Sequence, residues 1–412
     1  YHTEYDNFTQ RLEEGTELAL KLNRDVPVFW GIGDHGGGAT RKDLESLREF
    51  AAKEDRVEIV HCTMDGLYDA LKPYFDQAPV VKGDLQRIFT GCYTSVSRIK
   101  RESSANLSRL VQTEALRTAT WWLTDQEYPE KELHEIWKEH LFNDFHDILP
   151  GTCIEGGEQD ALTQYGKSSL AARRLRLGAA ARFAQQEPME DAYLPVVVVN
   201  SNPGLRNVPI ELECQSCLRP FWTGEWHLHL YKPDGTEIPC QEEQPDALLP
   251  FFDWRRRISF FAEDLPALGE VSYRLKPVEE PKKKIAMPSA VRYDYNAQTG
   301  MVDGLYAGDE NLLAGSMVKA LVVEDTADSW GEGCWRYDKV VGEFSLAPGS
   351  VNVIEEGPVR KVTESIFAYN HSKIAVKVIS YTQFEALEIE LRVHWNEEKR
   401  RLKLSIPTKF RN

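Results

Sequence analysis

The chain has 412 residues, enough for two or three domains that each bury a core, and its formal net charge of −16 argues against nucleic acid and anionic membranes as partners, since both call for basic patches. No apolar run approaches the ~20 residues that cross a bilayer. Seven cysteines spread thinly through the chain do not form a disulfide scaffold and favour a reducing cytoplasm.

Residues 26–32 (VPVFWGI) read as a β-strand that stops at Gly33-Asp34-His35-Gly36-Gly37-Gly38, ahead of a helix signal at Thr40-Arg41-Lys42-Asp43. Leu44, Leu47, Phe50 and Ala51 then form one apolar stripe, residues 57–60 a second short strand, and Leu67 and Leu71 mark a further helix. Alternation of this kind predicts a parallel sheet. Ligands gather at the carboxyl ends of its strands, so Asp34 and His35 stand where chemistry is expected. The loop matches neither the dinucleotide fingerprint nor the Walker pattern, and Asp34 would repel an anion, so a neutral polyol or sugar suits it better. A tight turn in which Asp34 bonds its own loop also accounts for the glycines.

From Gly83 onward the pattern turns helical. Leu107, Leu110, Val111, Ala115 and Ala119 form one expected stripe, and Leu162, Tyr165, Leu170, Ala171 and Leu175 another, which predicts a small helical bundle. Between them, residues 141–154 read LFNDFHDILPGTCI. Leu133, Ile136, Trp137, His140 and Leu141 lead at helical spacing into this segment, and Pro150-Gly151 stops the helix. His146 and Asp147 thus fall at a helix end, where an imidazole beside a carboxylate suits a metal or a polar substrate. A satisfied hydrogen-bonded pair is the bland alternative.

Beyond a polar joint at residues 185–195, the run Val196-Val197-Val198-Val199 opens a region of short strands. Asn202-Pro203-Gly204, Pro233-Asp234-Gly235, Asp303-Gly304 and Pro348-Gly349 punctuate it, which is the pattern of a large antiparallel β-sandwich. The expected architecture is therefore multidomain α+β. The end of a parallel, barrel-like α/β domain occupies residues 1–82, a helical bundle 83–190 and a β-sandwich 191–412. Cys214-Gln215-Ser216-Cys217 lacks the second pair a zinc ribbon needs and the helix start a redox thiolate needs. Arg255-Arg256-Arg257 reads as strand-edge arginines covering apolar surface, Lys282-Lys283-Lys284 as a solvated linker, and Trp121-Trp122 as packing or, less simply, a sugar platform.

Taken together and in this order, GDHGGGAT (33–40), GCYTS (91–95) and FNDFHDILPGTCI (142–154) resemble glycoside hydrolase family 38, the retaining α-mannosidases. DTADSWG (325–331) and VHWNE (393–397) resemble two stretches of that family's β-rich region. The resemblance implies a zinc-dependent glycosidase acting on oligosaccharides or mannosyl conjugates. It puts His146 on a zinc-ligand position, Asp147 and His35 against the sugar, Phe89 on the pocket wall, and Asp34 in the loop of the general acid/base. A homo-oligomer is compatible with it.

One departure stands out: none of the ten histidines is followed two residues later by Asp and then by Trp, so the family's HxDxxW-type strand end, and with it further zinc ligands, is missing, as is the nucleophile segment. Zinc of this kind needs about four ligands, and retaining hydrolysis needs a second carboxylate about 5 Å from the acid. The sequence therefore reads as a piece of a longer enzyme. Zinc belongs to the full-length parent, and the isolated chain is expected to hold none and to be inactive. The alternative is a non-catalytic, carbohydrate-binding or scaffolding relative.

Overall fold

A computed structural model describes residues 7–32, 38–83, 88–188, 193–204, 206–215, 224–245, 255–281 and 285–410. Contacts divide the chain into two units, Tyr1–Leu85 and Gln86–Asn412.

The first unit carries helices α1 (Phe8–Leu22), α2 (Arg41–Lys53) and α3 (Met64–Leu71). Thr40 caps α2 as the sequence predicts: its hydroxyl accepts from the Asp43 N–H, and the Asp43 carboxylate accepts from the Thr40 N–H, a reciprocal capping box. Phe8, Leu12 and Leu47 are buried against Val28, Trp30, Phe50 and Ile59. The two expected strands do supply core side chains, but they form no ladder. Residues 26–32 and 57–60 carry no strand pairing, and no strand occurs among the described residues of this unit. An apolar run can bury its side chains in a core, but without backbone partners alongside it does not make a sheet.

The second unit begins with α4 (Ser97–Leu123), α5 (Glu130–Phe142) and α6 (Glu155–Ala184), packed side by side in an up-down-up arrangement. The buried face of α4 recurs at alternating four- and three-residue steps: Ile99, Ser103, Asn106, Leu110, Thr113, Arg117, Thr120. That is a heptad seam. It differs from the expected stripe by part of a turn, since Leu107 and Val111 are exposed. Several polar members find partners across the bundle: the Asn106 amide donates to Ser168 Oγ (2.9 Å) and to His140 Nδ1 (3.3 Å), Ser168 donates to the Ile136 carbonyl (3.0 Å), and Thr113 donates to the Ala172 carbonyl (3.3 Å). On α6 the facing residues Ala161, Ser168, Ala172 and Ala179 are small, which lets the helices approach closely.

Strands β1 (Leu194–Val199), β2 (Arg206–Gln215), β3 (Trp226–Tyr231), β4 (Glu237–Ile238), β5 (Cys240–Glu243), β6 (Arg255–Leu265) and β7 (Glu270–Glu279) follow. They make two antiparallel sheets, ordered β1-β7-β3-β4 and β2-β6-β5. Alternate residues Trp226, Leu228 and Leu230 of β3 and Tyr273 and Leu275 of β7 share one core with Ile258, Phe260 and Ala262 of β6. The arginine run sits on β6, a central strand rather than an edge, and each guanidinium meets a carboxylate: Arg255 with Glu213, Arg256 with Glu242, Arg257 with Glu355. Cys217, Lys282, Lys283 and Lys284 lie outside the described residues.

The remaining strands are β8 (Tyr293–Asn296), β9 (Met301–Ala307), β10 (Glu310–Asn311), β11 (Lys319–Glu324), β12 (Val340–Glu343), β13 (Ser345–Leu346), β14 (Asn352–Glu356), β15 (Arg360–Tyr369), β16 (Ser372–Tyr381), β17 (Leu387–His394) and β18 (Arg400–Ser405). Three antiparallel sheets, β10-β9-β8, β12-β11-β18 and one built on β15-β16-β17, close over Val302, Val322, Phe344, Phe367, Ile374, Val376 and Val378. Gln241 stitches the two β regions together: its side-chain oxygen accepts from the N–H groups of Val359 (3.1 Å) and Arg360 (2.9 Å). Phe261 packs beside Val359, Val362, Ile379 and Tyr381 at the same seam.

Candidate functional site

Helix α5 ends at Phe142, and residues 143–151 continue as consecutive turns, so His146 stands four residues past the helix rather than at its last turn. That run of turns ends at Pro150, which cannot continue a helix, and Gly151, which takes φ +77°. His146 is the exposed member of the pair, with 70% of its side chain open to solvent and its ring 4.3 Å from that of Phe145. Its Nε2 lies 3.6 Å from Asp147 Oδ2. Asp147 is held from the other side, where Thr152 Oγ1 donates to Asp147 Oδ1 (2.9 Å) and the Thr152 N–H to the Asp147 carbonyl (3.1 Å). One carboxylate oxygen is thus fixed and the other turned toward the imidazole. Behind the turn, Ile148 and Leu149 pack with Val96, Ile99, Cys153 and Tyr165.

The GCYTS segment lies directly against this turn. Residues Thr90–Tyr93 form a 3₁₀ turn, and a β-carbon on Gly151 would come within 2.5 Å of the Ser95 carbonyl oxygen. Lys100, in the first turn of α4, reaches into the junction. Its ammonium donates to the carbonyls of Leu149 (3.0 Å), Pro150 (3.0 Å) and Ser95. Burial pushes the Lys100 ammonium below the ordinary lysine range, and burial likewise raises the thiols of Cys92 and Cys153 on the two segments it joins. These cysteines are poor nucleophiles as a result.

On its far side the GCYTS turn rests on the DTADSWG segment. Gly91 N–H donates to the Trp330 carbonyl (2.9 Å), Ser95 Oγ to the Ser329 carbonyl (2.7 Å), and Thr90 Oγ1 to the Cys334 carbonyl (2.5 Å). Asp328 shapes that segment by accepting from the N–H groups of Gly331 (2.9 Å) and Glu332 (3.2 Å). Asp325 accepts from Arg401 (3.0 Å), whose guanidinium also reaches Thr94 (2.6 Å) and lies 3.5 Å from the Tyr337 ring centre. Phe89 stands at this junction with its ring 5.0 Å from Trp330. The structure therefore brings His146, Asp147, the GCYTS turn and the DTADSWG segment into one assembly.

Asp34 and His35 lie outside the described residues; the ends of their loop meet, the Ile32 N–H donating to the Gly38 carbonyl (3.0 Å). The VHWNE strand end is structural. Trp395 packs against Phe344, and Glu397 accepts from Ser372 Oγ (2.9 Å) at the turn that joins β15 to β16. Lys100 and Arg401 were missed by sequence reasoning. Their partners lie up to 307 residues away, and no local signal announces them.

As for a metal, no group of three or more His, Cys, Asp or Glu side chains that could hold an ion occurs among the described residues. His146 and Asp147 offer one imidazole and one carboxylate. A zinc site needs about four ligands, so the described donor set does not fit the ion.

Residues 87–183 match the model of the alpha mannosidase middle domain, and residues 290–412 that of the glycosyl hydrolases family 38 C-terminal domain. An alpha-mannosidase of Saccharomyces cerevisiae is 31% identical over 140 residues, 31% of this chain and 13% of its own length. Alpha-mannosidase 2C1 of Mus musculus is 23% identical over 401 residues, 93% of this chain and 35% of its own. A family 38 glycosyl hydrolase structure from Enterococcus faecalis superposes with a TM-score of 0.63 at 13% identity, covering 95% of this chain and 53% of that one, a likeness of fold. The chain belongs to glycosyl hydrolase family 38, with the α-mannosidases. It spans only about a third or less of the curated relatives' length.

Proposed function

We propose that this chain carries the sugar-facing turn of an α-mannosidase that releases terminal α-mannosyl residues from oligosaccharides or mannosyl conjugates. The observation that carries the reading is the His146–Asp147 pair: exposed on one side, anchored by Thr152 on the other, and placed within the stretch that matches the alpha mannosidase middle domain. A carboxylate with one oxygen fixed and an imidazole beside it are suited to a sugar's vicinal hydroxyls, whose directional donors and acceptors need preset partners.

Hydrolysis with retention would use two carboxylates about 5 Å apart. Asp34 is our candidate for the one that donates and later recovers the proton, and His35, Phe89 and Asp147 are our candidates for sugar contact. The second has no match in this sequence. Zinc assistance we assign to a longer form of the protein, with His146 as one of its ligands, and we derive no step through the metal. Six described cysteines are free thiols, which supports a cytoplasmic setting. Among the described residues, no helix is long and apolar enough to cross a membrane.

The test is hydrolysis of an aryl α-mannoside, together with metal content, for this chain alone and joined to any preceding segment its gene encodes. We expect turnover and bound zinc only in the joined form, both lost in His146→Ala. Full zinc occupancy in that variant would remove His146 from the ligand set, and a joined form that binds mannosides without cleaving them would favour a carbohydrate-binding role.

A further inference from the structure

We propose that Lys100 is the positioning residue of the His146–Asp147 turn, and that through it the β-rich segment 325–331 sets where that turn stands. The functional weight of this inference rests on the reading of His146 and Asp147 as the sugar-facing pair; its geometry does not.

Three backbone carbonyls converge on one ammonium. Leu149 and Pro150 belong to the turn that follows His146, and Ser95 belongs to the GCYTS segment. A lysine ammonium has three protons, so the three bonds use its whole donor capacity. Charge-assisted bonds of this kind are about twice as strong as neutral ones, and carbonyls left without a partner at a half-buried junction are costly. Ser95 is the hinge pin of the arrangement. Its carbonyl accepts from Lys100, its hydroxyl donates to the Ser329 carbonyl (2.7 Å), and its N–H donates to the Gly91 carbonyl (2.8 Å).

Gly91 in turn is pressed against the β-rich segment with no room for a side chain: a β-carbon there would come 2.6 Å from Gly331 N and 2.7 Å from Ser329 O. Gly331 itself adopts φ +72° and is held by Asp328. A path of contacts thus runs through backbone from Gly331 to Gly91 and Ser95, and then through the Lys100 ammonium to the carbonyls of Leu149 and Pro150. No side chain of the β-rich segment contributes a hydrogen bond to these steps, which is why residue types there would not betray the connection. Lys100 touches neither His146 nor Asp147 in this geometry; it acts on them by fixing the chain that carries them.

The experiment is amide hydrogen exchange on the full chain, comparing wild type with Lys100→Met, Lys100→Arg and Gly331→Ala. The reporters are the Gly151 and Thr152 amides, which donate to Ile148 O (2.9 Å) and Asp147 O (3.1 Å), and the β15–β16 ladder serves as the global control. Lys100→Met keeps the stem and removes the donors, so we expect the reporters to exchange about tenfold faster or more while the ladder is unchanged. Lys100→Arg, which keeps charge and donors, should restore most of the protection. Gly331→Ala should accelerate the same two amides although residue 331 does not touch them. The ¹³C resonances of the His146 ring should shift in Lys100→Met and Gly331→Ala, with those of His140 unmoved.

Unchanged exchange at Gly151 and Thr152 in Lys100→Met would overturn the proposal. So would a uniform loss of protection that includes the ladder, because Lys100 would then merely support the fold. An effect confined to Lys100 and absent from Gly331→Ala would sink the link to the β-rich segment. Exchange is read without substrate, so a joined form that fails to cleave mannosides would cancel the functional reading and leave this result standing.

Discussion

Gly91 and Gly331 meet backbone to backbone, the Gly91 N–H donating to the carbonyl just before Gly331 (2.9 Å) and a β-carbon on either one colliding with the other's backbone nitrogen. Gly91→Ala should therefore cost about 1–3 kcal/mol, the usual range for overpacking against atoms that cannot retreat. A urea titration of the second unit measures it. A change within a few tenths of a kcal/mol would show that the two segments part easily.

The buried face of α4 makes a paired prediction. Leu110 is fully buried and Leu107, three residues before it, is 44% exposed. Leu110→Ala should cost about 2–5 kcal/mol, whereas Leu107→Ala should stay under about 1 kcal/mol. Reversal of that order would restore the stripe that hydropathy alone suggests.

His140 gives the bundle a pH dependence whose sign follows from its surroundings. Burial lowers its pKa below the ordinary 6.5, and the nearby Asp144 carboxylate offsets only part of that. In the window between the folded value and 6.5 the unfolded chain binds a proton that the folded chain refuses, so stability falls as pH drops through that window. Chemical denaturation followed from pH 7.5 down to 5 should show the decline, and His140→Asn should flatten it. An equal slope in the variant would assign the loss to other groups.

At the seam between the two β regions, Glu355 is buried between Arg257 (2.5 Å) and Arg360 (2.6 Å). Removing it takes one carboxylate from each guanidinium while Arg360 keeps Glu211 (2.6 Å), so Glu355→Ala should cost about 1.5–3 kcal/mol. Thermal unfolding should reveal either a lowered single transition or two that have come apart.

His146→Ala, by contrast, should leave stability within about 0.5 kcal/mol, because the ring is mostly exposed. Asp147→Ala loses the Thr152 hydrogen bond and should cost about 1 kcal/mol. Circular dichroism melts of the two variants separate an exposed residue from an anchoring one.

What the sequence disclosed and what it hid divide along the range of the interactions involved. The family was legible in FNDFHDILPGTCI and its companions because each is a run of consecutive residues. The Thr40 capping box was legible for the same reason: donor and acceptor lie three residues apart. Helix and strand alternation along residues 26–60 predicted a parallel sheet, yet a ladder depends on neighbours that periodicity does not specify, and Val28, Trp30 and Ile59 join the core without one. The α4 seam was misread because Asn106 and Thr113 look like surface residues until their partners on α5 and α6 are in place. Arg256 pairing with Glu242 and Lys100 bonding three carbonyls were out of reach, since each is decided by segments brought together only in the folded chain.

The Asn106–His140–Ser168 triangle also bears on how the bundle chooses its alignment. Apolar side chains tolerate sliding: α6 displaced by one turn, about 5.4 Å along its axis, would still find alanines and leucines opposite. Such a slip would take Ser168 away from Asn106 and from the Ile136 carbonyl, at about 1–3 kcal/mol for each buried polar group left without its partner. The polar trio therefore works as a key cut for one notch, trading some adhesive strength for a single permitted docking of three otherwise forgiving rods.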